Sequence, residues 1–243
     1  MTEFQAANME TAERLAAIRI VPVLVLNSVE DGMKMGEILF SEGLPAAEIT
    51  FRTSAAEEII RALSRNFPDL CVGAGTVLNR KDLDRAFAAG AKFAVAPGFN
   101  PTVVRAAVEN GYAFAPGICT PSEVEQAYEF GCKFLKFFPA EAAGGKKMLK
   151  AIAAPYKHLG IRFMPTGGVT ADNAGEYLSM PEVAAVGGTW LGKATDIAAG
   201  NWDAVRANVR AAVQLIKTGI VDPKKAHESR PAPCHLRDRQ ERA

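Results

Sequence analysis

Histidine and cysteine, the side chains that most often hold zinc, are scarce in this chain: three and four respectively among 243 residues. The cysteines are Cys71, Cys119, Cys132 and Cys234. No two stand at C-x-x-C spacing, and no histidine lies near enough in sequence to complete a zinc site. The expectation is therefore no metal and no cofactor, with reduced, mostly buried thiols. His227 and His235 lie close to the C-terminus, which leaves His158, in what reads as a surface loop, alone in the body of the chain. Acid–base chemistry would then fall to carboxylates, lysine or bound water. Charge of one sign is lacking too: a formal net charge of +1 offers no field to attract nucleic acid or an anionic membrane as partner. No apolar run approaches the ~20 residues that span a bilayer, and the N-terminus lacks a signal-peptide pattern. Met1–Glu13 reads instead as a mildly acidic first helix, and the expected location is cytoplasmic.

What the chain does have is a repeating rhythm. Short apolar runs occur at Ile20–Leu26, Ala46–Phe51, Leu70–Ala74, Phe93–Ala96, Ala113–Ala115, Phe134–Phe138, Ile161–Met164 and Val183–Val186, their starts about 20 to 27 residues apart. Most gaps carry helical periodicity: Val29–Phe40, Ala55–Asn66, Arg80–Ala89, Pro101–Glu109, Pro121–Phe130, Lys146–Ala153 and Asp172–Leu178. Glycine stands just past a helix at Gly43, Gly90, Gly111 and Gly131, and proline opens one at Pro101 and Pro121. Eight strands alternating with helices predict a parallel α/β fold closed as a (β/α)8 TIM barrel. It is read as one domain over residues 1–217, with an N-terminal helix and a last helix at Ala204–Lys217. Residues 218–243, rich in Lys, Arg, Pro and His, read as a flexible or loosely docked C-terminal extension that offers, as an alternative, an anion-binding arm. An open doubly wound sheet would need a dinucleotide fingerprint. The nearest candidate, Gly73-Ala-Gly-Thr-Val-Leu78, lacks the third glycine and comes late in the chain.

Two strands carry chemistry. In Phe134-Leu-Lys-Phe-Phe138 a period of two puts Phe134, Lys136 and Phe138 on one face. A lysine in so apolar a strand either snorkels to solvent or points into the barrel mouth. Pro139 ends the strand just beyond it, at the end where barrel enzymes keep their active sites. In the second strand Glu48, Thr50 and Arg52 share a face, and three polar side chains in a row fit the barrel interior better than the apolar helix layer. Glu48 and Arg52 either pair with each other or serve a ligand, the guanidinium holding a carboxylate and the carboxylate moving protons. Pro165-Thr-Gly-Gly168 and Gly187-Gly-Thr189 are expected after strands 7 and 8, where barrels commonly bind phosphate through backbone N–H groups.

Glu48-Ile-Thr-Phe-Arg-Thr53, Gly73-Ala-Gly-Thr-Val77, Lys136-Phe-Phe-Pro-Ala-Glu141, Pro165-Thr-Gly-Gly168 and Gly187-Gly-Thr-Trp190 together resemble the 2-keto-3-deoxy-6-phosphogluconate (KDPG) and 2-keto-4-hydroxyglutarate (KHG) aldolase family, in order, from about Ile18 to Lys217. The resemblance implies a metal-free class I aldolase of the Entner–Doudoroff pathway, a lyase and homotrimer, that cleaves KDPG to pyruvate and glyceraldehyde 3-phosphate. It implies Lys136 as the Schiff-base lysine and Glu48 as the acid–base residue. Arg52 and Thr76 would contact the pyruvyl carboxylate, Pro97 and Phe138 would shape the apolar side, and Thr166 would meet the substrate hydroxyls. Gly167, Gly168, Gly188 and Thr189 would receive the phosphate. Many members carry serine where this chain has Thr189, so the hydroxyl is kept while an added methyl crowds the anion. Rival readings are an aldolase or decarboxylase for unphosphorylated 2-keto acids, a phosphate-binding barrel isomerase, and a non-catalytic sugar-acid binder.

Overall fold

The computed structural model describes residues 1–219. Every strand pairing in it is parallel, and the strands curl into two arcs. One arc has the order β5-β4-β3-β2-β1-β9 and the other β6-β7-β8. The strands are β1 Ile20–Leu24, β2 Ala46–Thr50, β3 Cys71–Gly75, β4 Phe93–Val95, β5 Phe114–Ala115, β6 Gly117–Ile118, β7 Phe134–Phe137, β8 Arg162–Pro165 and β9 Val186–Gly188. Only Pro116 separates β5 from β6. With no N–H to donate, proline interrupts a ladder, and the single expected strand Ala113–Ala115 is accordingly two short ones. At the other junction, isolated bridges pair Phe163 with Val183 and Thr166 with Gly187.

Helices follow the strands: α1 Glu3–Ile18, α2 Val29–Glu42, α3 Ala56–Asn66, α4 Arg80–Ala88, α5 Pro101–Asn110, α6 Pro121–Glu129, α7 Gly145–Ala153, α8 Ala171–Leu178, α9 Ala194–Ala198 and α10 Trp202–Gly219. The glycine stops act as read: Gly43, Gly90, Gly111 and Gly131 all take positive φ, and Pro101 and Pro121 sit in the first turns of α5 and α6. His158 is exposed in a 3-10 turn, Ala154–Leu159.

Side chains alternate across the strands as a period of two requires. Leu24, Ala47, Ile49, Val72, Leu135 and Phe137 pack outward into the large core shared with the helices. Val21, Ala46, Cys71, Phe93, Phe134 and Met164 point inward and form a second cluster with Ala12 and Leu15 of α1. The first helix therefore seals the end of the sheet where the strands begin. Its Asn8, 1% exposed, fixes the seal: Nδ2 donates to Phe114 O at 2.9 Å, and Oδ1 accepts from Lys133 N and Phe134 N at 3.0 and 2.9 Å.

Four expectations need correction. The first helix runs on to Ile18 rather than ending at Glu13, because Leu15 continues its buried stripe. The last strand is Val186–Gly188, not Val183–Val186, so the glycine pair lies within it and Pro165 within β8. Apolarity marks the approach to that strand, whereas the ladder with β1 runs from Ile20↔Val186 to Pro22↔Gly188. Helix α9 was not anticipated. The last helix runs Trp202–Gly219 where Ala204–Lys217 was expected; residues 220–243, with Cys234, His227 and His235, lie outside the described residues. Among the described residues no helix is long and apolar enough to cross a membrane, and no group of three or more His, Cys, Asp or Glu is positioned to hold a metal ion.

Candidate active site

Lys136 occupies the inward face of β7, between Phe134 below and Phe138 above. Glu48 occupies the inward face of β2, and the curl of the sheet carries the two strands toward each other across its interior. The Lys136 Nζ lies 2.9 Å from Glu48 Oε1 and 3.3 Å from Oε2. Their side chains are 6% and 1% exposed. Separating such a pair by removing one partner would leave a buried charge alone, so each holds the other in place. The carboxylate pairs with the lysine and not with Arg52, so the Glu48–Arg52 pair that the sequence left open is not the one formed.

Room for that carboxylate comes from a glycine. Strand β3 lies beside β2 in register, Glu48 against Gly73 and Thr50 against Gly75. A β-carbon on Gly75 would fall 2.2 Å from Glu48 Oε1, so only glycine leaves the space the carboxylate occupies. Thr50 shares the inward face and donates to Leu24 O at 3.0 Å. Immediately past β3, Thr76 has φ 57°. That left-handed conformation costs a β-branched residue on the order of 1–3 kcal/mol, and such strain concentrates at functional sites.

All eleven site residues named from the sequence line one cavity of about 160 Å³: Glu48, Arg52, Thr76, Pro97, Lys136, Phe138, Thr166, Gly167, Gly168, Gly188 and Thr189. Three further residues line it, Val23, Thr50 and Val169. Thr50 was placed on the correct face but given no role, and Val23 follows inward-facing Val21 at strand spacing, a signal that was available. Arg52 lies exposed at the mouth and, among the described residues, makes no ion pair, so its guanidinium can receive an anion. Thr166 and the last strand fit together because Gly187 has no side chain: a β-carbon there would stand 2.4 Å from Thr166 Oγ1.

Beyond Thr166 the chain turns through Gly167 and Gly168, with φ 95° and 80°. Among the described hydrogen bonds no acceptor takes the amides of Gly167, Gly168 or Val169, so the loop presents N–H donors next to the start of α8, where the helix dipole favours an anion. A larger surface groove, about 510 Å³, runs past Glu30, Lys34, Glu37 and Trp202, but it gathers no buried polar groups and lies on the α2 side, away from Lys136. The small interior cavity thus joins a buried amine–carboxylate pair, an exposed guanidinium and a donor-rich turn. That combination suits covalent chemistry on a carbonyl that bears anionic groups.

Known proteins resemble this chain along most of its length. A family model described as KDPG and KHG aldolase matches residues 11–208. A 2-dehydro-3-deoxy-phosphogluconate aldolase of Treponema pallidum is 43% identical over 204 residues, covering 84% of this chain and 96% of that one. The KHG/KDPG aldolase of Escherichia coli K12 is 41% identical over 198 residues, covering 82% and 92%. Among solved structures, the KDPG aldolase of Legionella pneumophila, with pyruvate captured as a covalent carbinolamine intermediate, superposes with a TM-score of 0.78 at 36% identity, covering 82% of this chain and 97% of that one. The Zymomonas mobilis ZM4 enzyme with 3-phosphoglycerate gives 0.76 at 36% identity, covering 84% and 95%. Matched along most of its length, the chain belongs to the KDPG and KHG aldolase family of carbon–carbon lyases.

Proposed function

We propose that the protein is a class I aldolase that cleaves KDPG to pyruvate and glyceraldehyde 3-phosphate through a Schiff base on Lys136. The observation that carries this is the buried contact between Lys136 Nζ and Glu48 Oε1 at 2.9 Å, an amine held beside a group able to take its proton. Glu48 accepts that proton, and the neutral amine attacks the C2 carbonyl. The carbinolamine then loses water, with Glu48 returning a proton to the departing oxygen, to give an iminium. Deprotonation of the C4 hydroxyl, by Glu48 directly or through water, breaks the C3–C4 bond; its electron pair flows into the iminium as the aldehyde leaves. The enamine is protonated at C3 and hydrolysed, freeing pyruvate and the lysine.

In this reading Arg52 and Thr76 hold the C1 carboxylate, Pro97 and Phe138 wall the apolar side, and Thr166 contacts the hydroxyls. Gly167, Gly168, Gly188 and Thr189 take the phosphate. No metal or other cofactor is required, since the iminium is the electron sink. A second substrate, KHG, is supported by the dual name of the Escherichia coli relative and by Thr189, whose methyl narrows the anion end of the cavity. We further read the two arcs as one closed (β/α)8 barrel, residues 1–217 as the domain and 218–243 as an appended extension. Assembly as a homotrimer, a cytoplasmic location and a place in the Entner–Doudoroff pathway follow from the family resemblance.

Borohydride reduction in the presence of pyruvate tests the central step. The expected product is a single reduced adduct mapped to Lys136 by peptide mass spectrometry. An adduct elsewhere, or none, would refute the imine.

A further inference from the structure

We propose that Tyr177 and Glu141 form a brace that shapes the Gly167–Gly168 turn, making Tyr177 a positioning residue for the phosphate end of the substrate. The proposal rests on the reading of that turn as the phosphate subsite.

The turn is held from one side by the segment after β7. Ala140 N donates to Thr166 O at 2.8 Å, and Glu141 N donates to Gly167 O at 3.0 Å. The Glu141 side chain packs against one side of exposed Gly168: a β-carbon there would lie 2.6 Å from its Cβ and 2.8 Å from its Cγ. From the other side, Asn173 Nδ2 donates to Gly168 O at 3.2 Å. Tyr177, on the same helix α8 and 1% exposed, closes the ring by donating its hydroxyl to Glu141 Oε1. Gly145, at the start of α7, approaches both ends of that bond; a β-carbon there would stand 3.4 Å from Glu141 Oε1 and 3.5 Å from the Tyr177 hydroxyl. Burial, and secondarily the bond to Glu141, push the Tyr177 phenol up, so it remains a donor at any working pH.

Two consecutive glycines at positive φ have no side chains with which to anchor themselves, and glycine has the most conformational freedom to lose. Their neighbours must supply the order. A turn already shaped in the free protein spares an incoming anion that cost. Without the Tyr177 hydroxyl, Glu141 loses its fixed rotamer, its Cγ no longer stays against Gly168, and the phosphate itself must order the turn. The amine–carboxylate pair, fixed by β2 and β7, is untouched.

The test is Tyr177→Phe, which keeps the buried ring, assayed with KDPG and with unphosphorylated KHG. Loss of one charge-assisted hydrogen bond, partly transmitted, should raise KM for KDPG by about five- to tenfold. The kcat, and both parameters for KHG, should stay within about twofold. Glu141→Ala should reproduce the selective rise, and the double variant should add nothing to it. A rise shared by both substrates, an unchanged KM for KDPG, or additive effects would each overturn the brace. A wild-type enzyme with no preference for the phosphorylated substrate would overturn the phosphate reading and the brace with it, whereas a preference that is undiminished in Tyr177→Phe defeats the brace alone.

Discussion

Gly75→Ala should nearly silence the enzyme without replacing a group that reacts. Gly75 has no positive φ, so alanine suits its backbone and only space is at issue. The new β-carbon would lie 2.2 Å from Glu48 Oε1 and 2.8 Å from Glu48 Cδ and Cγ, where ordinary contact begins at 3.4 Å. The carboxylate must therefore retreat by roughly 1 Å, a displacement that forfeits the packing minimum. It has little room to do so, with 1% of its side chain exposed and Lys136 Nζ at 2.9 Å. A misplacement of that size costs on the order of 10²-fold in turnover, or about 2.7 kcal/mol of barrier. Overpacking of this kind costs about 1–3 kcal/mol of stability, which a domain of ordinary stability survives. Pyruvate release coupled to lactate dehydrogenase reads kcat, and a thermal melt of the same sample reports the folded fraction. Gly98→Ala is the control, since nothing lies within 4 Å of the carbon it adds, and it should leave kcat near wild type. A Gly75→Ala enzyme within about threefold of wild-type kcat would refute the reasoning, because the carboxylate position would then not limit turnover.

Asn8→Ala strips the acceptor from the amides of Lys133 and Phe134 and the donor from Phe114 O. It should cost about 2–3 kcal/mol and lower Tm by roughly 4–12 °C for a chain of this size. A loss under about 0.5 kcal/mol in denaturant titration would mean that water replaces all three bonds. Thiol chemistry should follow burial. Desolvation pushes the Cys71 thiol up to about 11 and the Cys132 thiol up to about 12, so at pH 8 almost none of either is thiolate, and the fraction rises only as pH climbs toward those values. Iodoacetamide at pH 8, read by peptide mass spectrometry, should label half-buried Cys119 well before the other two; equal rates would show that the strand ends open freely.

Much of the architecture was legible because it is written in local terms. Helix stops at Gly43 and Gly111 depend on backbone conformation at one residue, and starts at Pro101 and Pro121 on one fixed φ. Val183–Val186 misled because a buried approach and a buried strand are equally apolar. Helix α9 is too short for periodicity to announce it. Asn8 carried no signal, since a polar residue in an amphipathic helix looks the same whether it faces solvent or caps the starts of two strands.

Lys136 shows where the boundary falls. Strand pleating is a property of adjacent residues, so the sequence by itself determined that Lys136 shares a face with Phe134 and Phe138, and Glu48 a face with Thr50 and Arg52. Which partner each would meet is not local. The two residues are 88 positions apart, and their distance is set by the register and curl of strands that do not pair with each other. Only the tertiary structure decided that Glu48 pairs with the lysine rather than with Arg52. It alone decided that Gly75 owes its presence to the carboxylate opposite and not to a turn. Direction of a side chain comes from the two soft dihedrals of its own neighbourhood, whereas contact comes from how whole sheets close in space.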